Sequence, residues 1–238
     1  MARILVPLPD RDFDTTEAAV PWRHLSEAGH EIVFATEEGA VAACDRRLLD
    51  GVLFGQLGAE PEAKQFYVQM IASPAFASPI RWDAIDPAAF DALMMVGGHA
   101  PGMRQYLGST LLQEKIRAFW ALDRPVGAIC HGVLPLARAG VLRNRRTTCL
   151  PKYMERIAYF LTAWRLGRYY RTYPAYVEDE VRASLAAPSQ FVRGPITLTA
   201  RGGEHDDRAA FVVTDGQYVS ARWPGDAYLF ARTFAGLL

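Results

Sequence analysis

The residues best suited to chemistry meet at Gly127-Ala128-Ile129-Cys130-His131-Gly132, where a thiol stands beside an imidazole. A deprotonated cysteine is a strong nucleophile, and a neighbouring histidine can take or return its proton. Residues 125–129 before the thiol are apolar and read as a strand, and residues 133–139 after it read as a helix. That order predicts a nucleophile elbow, a sharp turn that lifts one side chain above a sheet. Such a turn has no room for bulk two residues to either side, where this chain has Ala128 and Gly132. Peptide dipoles at the start of the following helix would favour a thiolate at Cys130. The plainer reading, a small buried apolar cysteine, suits Cys44 and Cys149, which lack these surroundings.

A second cluster, Gly97-Gly98-His99, directly follows the apolar run 91–96. Backbone without a β-carbon could come close to a substrate, and N–H groups there, with that of His131, could hold a developing oxyanion. A Gly-Gly after a strand is otherwise an ordinary turn. His24 and His30 stand six apart and would not share a helix face, so no metal site follows from them. The basic residues Arg143, Arg145, Arg146, Lys152, Arg156, Arg165 and Arg168 could suggest a nucleic-acid surface, but a solvated helix face explains them as well.

The elements needed to position these groups are legible as period and punctuation. Residues 3–8, 31–36, 91–96 and 125–129 are short, nearly continuous apolar runs separated by helical stretches, the first of which extends to about Glu27 and is stopped by Gly29. Such runs predict an α/β fold, a mostly parallel sheet with helices on both faces and its site at the strands' carboxyl ends. Residues 151–187 break the rhythm; they form a long aromatic segment read as a helical insertion that packs on the core, covers the pocket or makes an oligomer contact. Strands at 210–213 and 218–221 flank the turn pair Asp215-Gly216, and a last helix starts near Pro224.

At 238 residues, half of them hydrophobic, the chain reads as one domain, 1–238. Its 26 basic and 26 acidic residues balance, so no overall field exists to gather nucleic acid or an anionic membrane. The first apolar run is too short for a signal segment, and no later one approaches the roughly 20 residues that cross a bilayer. Three scattered cysteines without CxxC spacing are expected to be free thiols in the cytoplasm.

Taken together, Glu17 four residues before Pro21, Gly97-Gly98-His99, Ala128-Ile129-Cys130-His131-Gly132 and the closing run from Asp215 to Gly225 resemble the PfpI/ThiJ superfamily. The resemblance implies a flavodoxin-like, class I glutamine amidotransferase-like domain, a homodimer, and Glu17 directed at Cys130. It also implies an acid to orient His131, and Glu155 is the nearest carboxylate on the segment after the elbow helix; a surface carboxylate on the insertion is the competing reading. Glutamine amidotransferases carry a His-x-Glu pair near the carboxyl end, where this chain has only His205-Asp206-Asp207, read as a solvated loop. The implied function is cofactor-free, cysteine-dependent chemistry on a small electrophile, of the glyoxalase III or deglycase type on α-oxoaldehydes. Hydrolysis or hydration by the same cysteine (peptidase, amidase or isocyanide hydratase) is an alternative, and so is a non-catalytic redox sensor or chaperone.

Overall fold

The computed structural model describes residues 1–51, 58–171 and 173–238. In chain order the elements are β1 (Arg3–Pro7), β2 (Arg11–Phe13), α1 (Thr15–Glu27), β3 (Glu31–Thr36), β4 (Ala43–Cys44), α2 (Arg46–Asp50), α3 (Pro61–Ile71), α4 (Pro74–Ala77) and β5 (Ile80–Arg81). There follow β6 (Ala92–Met95), α5 (Met103–Leu107), α6 (Thr110–Trp120), β7 (Val126–Ile129), α7 (Val133–Arg138), α8 (Lys152–Leu166), α9 (Val177–Ser184), β8 (Val212–Asp215), β9 (Tyr218–Ala221) and α10 (Ala227–Ala235).

The main sheet has the order β5-β3-β1-β6-β7-β9-β8, parallel throughout except for β8, which runs antiparallel to β9. The strands β6, β7 and β9 are buried along their whole length, as expected for strands covered on both faces. Helices α1, α3 and α10 pack together, while α7 packs against α5, α6 and α9. From β1 the chain steps outward to β3, and from β6 it steps the other way to β7. This reversal opens a crevice above the carboxyl ends of the central strands. Asp14 and the first turn of α1, the loop after β6 and the elbow after β7 line it.

Details depart from the sequence reading at the margins. Strand β8 covers 212–215 rather than 210–213, because Asp215 still pairs with Tyr218 and the turn is made by Gly216, at φ +60°. The aromatic segment forms two helices, α8 and α9, instead of one run; Thr172 between them lies outside the described residues. A two-stranded sheet, β2 with β4, and the edge strand β5 are additional. Helix α1 begins where Asp14 accepts hydrogen bonds from the N–H groups of Thr16 and Glu17 at 2.8 and 3.0 Å, a side-chain cap that fixes the direction of its first turn.

Candidate active site

Cys130 sits between β7 and α7 with φ at +59°, a left-handed conformation that a residue with a β-carbon adopts only when its surroundings hold it there. The crowding behind it explains Gly132. A β-carbon there would lie 2.4 Å from the carbonyl oxygen of Met95 at the end of β6. Gly97 is equally constrained, since its β-carbon would lie 2.6 Å from Glu17 Oε2 and 2.8 Å from the backbone nitrogen of His131. The two glycines let β6, the elbow and Glu17 close on one another.

Glu17, in the first turn of α1, is fully buried, and its carboxyl acts electrostatically on the Cys130 thiol. Its Oε2 accepts the Gly97 N–H at 2.9 Å. Gly97 therefore does not supply an oxyanion donor as the sequence suggested, because its N–H is already engaged; Gly98, the next residue, lines the cavity described below. Burial, reinforced by nearby Asp14, pushes the Glu17 carboxyl well above its ordinary range. Burial also pushes the Cys130 thiol up, and Glu17 and Asp14 add to this. The expected lowering by a helix dipole is thus overturned. Helix α7 has only six residues and is preceded by a 3₁₀ turn over Cys130–Gly132, so its dipole is small against desolvation. Glu17 and Cys130 form a buried pair in which burial favours the protonated form of each group.

His131 is wholly buried, with Nδ1 3.5 Å from Cys130 Sγ. Desolvation, then His99 and Arg138, hold its pKa well below the ordinary value, so it is a neutral imidazole able to accept a proton. The ring of His99 meets it edge-on at 4.5 Å between centroids, and Tyr170 from the insertion meets His99 at 5.5 Å. Glu155, in the first turn of α8, is buried rather than on the surface. Its Oε2 accepts the Val177 N–H at 3.1 Å, and Oε1 lies 3.7 Å from Arg171 Nη1. Burial raises its pKa to about 7 against both partners.

One ligand atom each from His99, His131 and Glu155 lie within 4.8 Å of one another. Two neutral imidazoles and a carboxylate are donors that suit zinc, but a tetrahedral zinc site holds its ligands roughly 3.4 Å apart and the Arg171 guanidinium competes for the same carboxylate. The arrangement is equally that of a histidine with an acid close behind its ring. The sequence pattern had placed His99 only through its Gly-Gly prefix.

Above these groups lies a cavity of about 140 Å³. Its polar end is made by Asp14, Thr16, Glu17, His99 and Cys130. Asp14 was not singled out from sequence; burial raises its pKa to about 6 although it caps α1. Its signal was present in the pattern Asp-Thr-Thr-Glu, a helix start, which says nothing of burial. The insertion covers this cavity, with Met154, Ile157 and Ala158 from α8, and Tyr170 beyond it, in the wall.

Comparison with known proteins accords with this geometry. A family model described as "ThiJ/PfpI family-like" matches residues 8–195. The chain belongs to this ThiJ/PfpI family. Among its relatives, the protein named Deglycase PfpI of Pyrococcus furiosus is 28% identical over 231 residues, covering 97% of this chain and 96% of the relative. An uncharacterised Schizosaccharomyces pombe protein is 27% identical over 246 residues, covering 99% of this chain and 84% of that one. The crystal structure of glyoxalase III from Candida albicans superposes with a TM-score of 0.70 at 18% identity, covering 100% of this chain and 97% of that one, which establishes the shared fold.

In this ThiJ/PfpI domain the remaining candidates stand apart from the cavity. His30 accepts the Ala2 N–H through Nδ1 at 3.1 Å, and His24 packs edge-on against Tyr228 at 5.8 Å. Arg145 and Lys152 are paired with Asp215 and Asp179 at 3.5 and 2.6 Å. Cys44 and Cys149 are buried, and all three cysteines are unbridged. Asp206 and Asp207 pair with Arg208 and Arg232 in the loop before β8. Among the described residues, no helix is long and apolar enough to cross a membrane.

Proposed function

We propose that the protein is a cysteine-dependent enzyme of the glyoxalase III or deglycase type that converts α-oxoaldehydes into 2-hydroxy acids without a cofactor. The observation that carries this reading is the placement of Cys130 between the Glu17 carboxyl and His131 Nδ1 at the polar end of an otherwise apolar cavity. The deglycase name of the Pyrococcus relative and the glyoxalase III title of the Candida structure support it. Three unbridged cysteines also suit a reducing compartment, the cytoplasm.

In this reading Cys130 Sγ adds to the aldehyde carbon while neutral His131 takes the thiol proton, giving a hemithioacetal. The oxygen that gains charge is held by a hydrogen bond from protonated Glu17. His131 passes the thiol proton to that oxygen, and, neutral again, takes the proton from the former aldehyde carbon and returns it to the adjacent carbon through an enediol, while Glu17 carries the hydroxyl proton from one oxygen to the other. The product is a 2-hydroxyacyl thioester on Cys130. Water cleaves it, releasing the hydroxy acid and restoring the thiol. Glu155, close behind the imidazole, would stabilise the cation while His131 holds the proton.

The test is turnover of methylglyoxal to lactate. The wild type is expected to catalyse it and Cys130→Ser to lose at least a thousandfold in kcat/KM. Equal turnover by the two proteins would overturn the proposal.

A further inference from the structure

The walls of the cavity carry a second message, about what lies beyond the carbonyl of the substrate. The polar residues are gathered at the Cys130 end, and Leu150, Met154, Ile157, Leu198 and Trp223 line the remainder. Among the described residues the one guanidinium in the wall is that of Arg201, which lies over the Trp223 ring at 5.0 Å and is paired with Glu60 at 3.7 Å, so its charge is already answered. Tyr170 lines the same space; it is 2% exposed, and its hydroxyl has no hydrogen-bond partner among the described residues. A buried donor without a partner is costly and marks a place where a ligand's acceptor is expected.

We infer, building on the function proposed above, that the preferred substrates are α-oxoaldehydes bearing an aryl or branched alkyl group, for which phenylglyoxal is the model, rather than the small methyl compound. Size supports the assignment as well as polarity. An engineered protein cavity of about 150 Å³ lined by aliphatic and aromatic side chains binds benzene, and the volume here is about 140 Å³. A methyl group would leave most of the wall without contact. One extra methylene in an apolar pocket is worth about 10–200-fold in kcat/KM, so replacing methyl by phenyl is expected to bring at least tenfold. The Tyr170 hydroxyl then donates to the ketone oxygen, the acceptor next to the aldehyde that Cys130 attacks.

The experiment compares mandelate formation from phenylglyoxal with lactate formation from methylglyoxal. For the wild type, kcat/KM is expected to favour phenylglyoxal at least tenfold. Ile157→Glu sets a charge on the wall at a position already 41% exposed, and the ratio should fall several-fold toward unity. Leu198→Glu, at a site 66% exposed, does the same should the first variant unfold. Equal efficiency for the two substrates, or a preference for methylglyoxal, overturns this inference while leaving the proposed function intact. If neither aldehyde is consumed, the proposed function fails, and binding to Cys130→Ala decides the pocket. Acetophenone bound at least tenfold more tightly than acetone, with Ile157→Glu abolishing the difference, upholds an aryl ketone site; no such difference overturns it.

Discussion

At the residue scale the pair Glu17–Cys130 carries the clearest electrostatic consequence. Burial raises the thiol, and the charge of the neighbouring Glu17 carboxyl raises it further. Replacing the carboxyl by an amide of the same size keeps an oxygen for the Gly97 N–H but removes the charge. Glu17→Gln is therefore expected to shift the pH profile of Cys130 alkylation by iodoacetamide to lower pH, and to lower turnover because the amide has no acidic proton to lend. An unshifted profile, or one displaced upward, would show that Glu17 does not set the thiol. The elbow itself was readable from sequence, since a small residue is demanded at fixed offsets from a left-handed turn and Ala128 and Gly132 stand there. Glu17 was reached only through resemblance, and Asp14 was not reached. A carboxylate in a first helical turn looks the same whether the turn faces water or the core, and that choice is made by the packing of α1 on α3 and α10.

At the scale of elements, the central strands β1, β3, β6 and β7 were legible because strands covered on both faces must be apolar nearly without interruption, and β9 because the turn pair Asp215-Gly216 precedes it. The edge pieces were not. Strand β2 is Arg-Asp-Phe with Asp12 at φ +77°, and β4 and β5 have two residues each, too short for any period to appear. The closing run Asp215 to Gly225 was read as a family signature, and its structural work was hidden in it. Arg222 and Asp226 are both fully buried and joined by two side-chain hydrogen bonds at 2.8 and 2.9 Å. Asp226 also accepts the N–H of Phe211, and Arg222 donates to the carbonyls of Pro195 and Ala209, so the pair ties the end of β9 to α10 and to the loops beside them. Removing one member leaves a buried, uncompensated charge, which costs about 3–5 kcal/mol. Asp226→Ala is expected to lose that much in urea unfolding, and a loss below about 1 kcal/mol would mean that water reaches Arg222.

For the whole molecule, the buried site groups impose opposing dependences of stability on pH. His99, held by burial near 4, and His131 are neutral in the fold, so stability is lost as pH falls below the ordinary histidine value and these groups are forced to charge. Asp14 at about 6 and Glu155 at about 7 act the other way. Between the ordinary carboxylate range and these raised values the folded protein holds protons that the unfolded chain has released, so stability falls as pH rises and levels off above pH 7. The total curve sums these contributions, but a difference between two proteins isolates one of them. For Glu155 the rise from 4.5 to about 7 corresponds to about 3 kcal/mol. Glu155→Gln retains an oxygen for the Val177 N–H and has nothing to titrate. Relative to this variant, the wild type is expected to gain about 3 kcal/mol in urea unfolding free energy between pH 7.5 and pH 4.5. A constant difference across that range would place Glu155 in contact with solvent, and would remove the buried acid from behind His131 in the proposed chemistry.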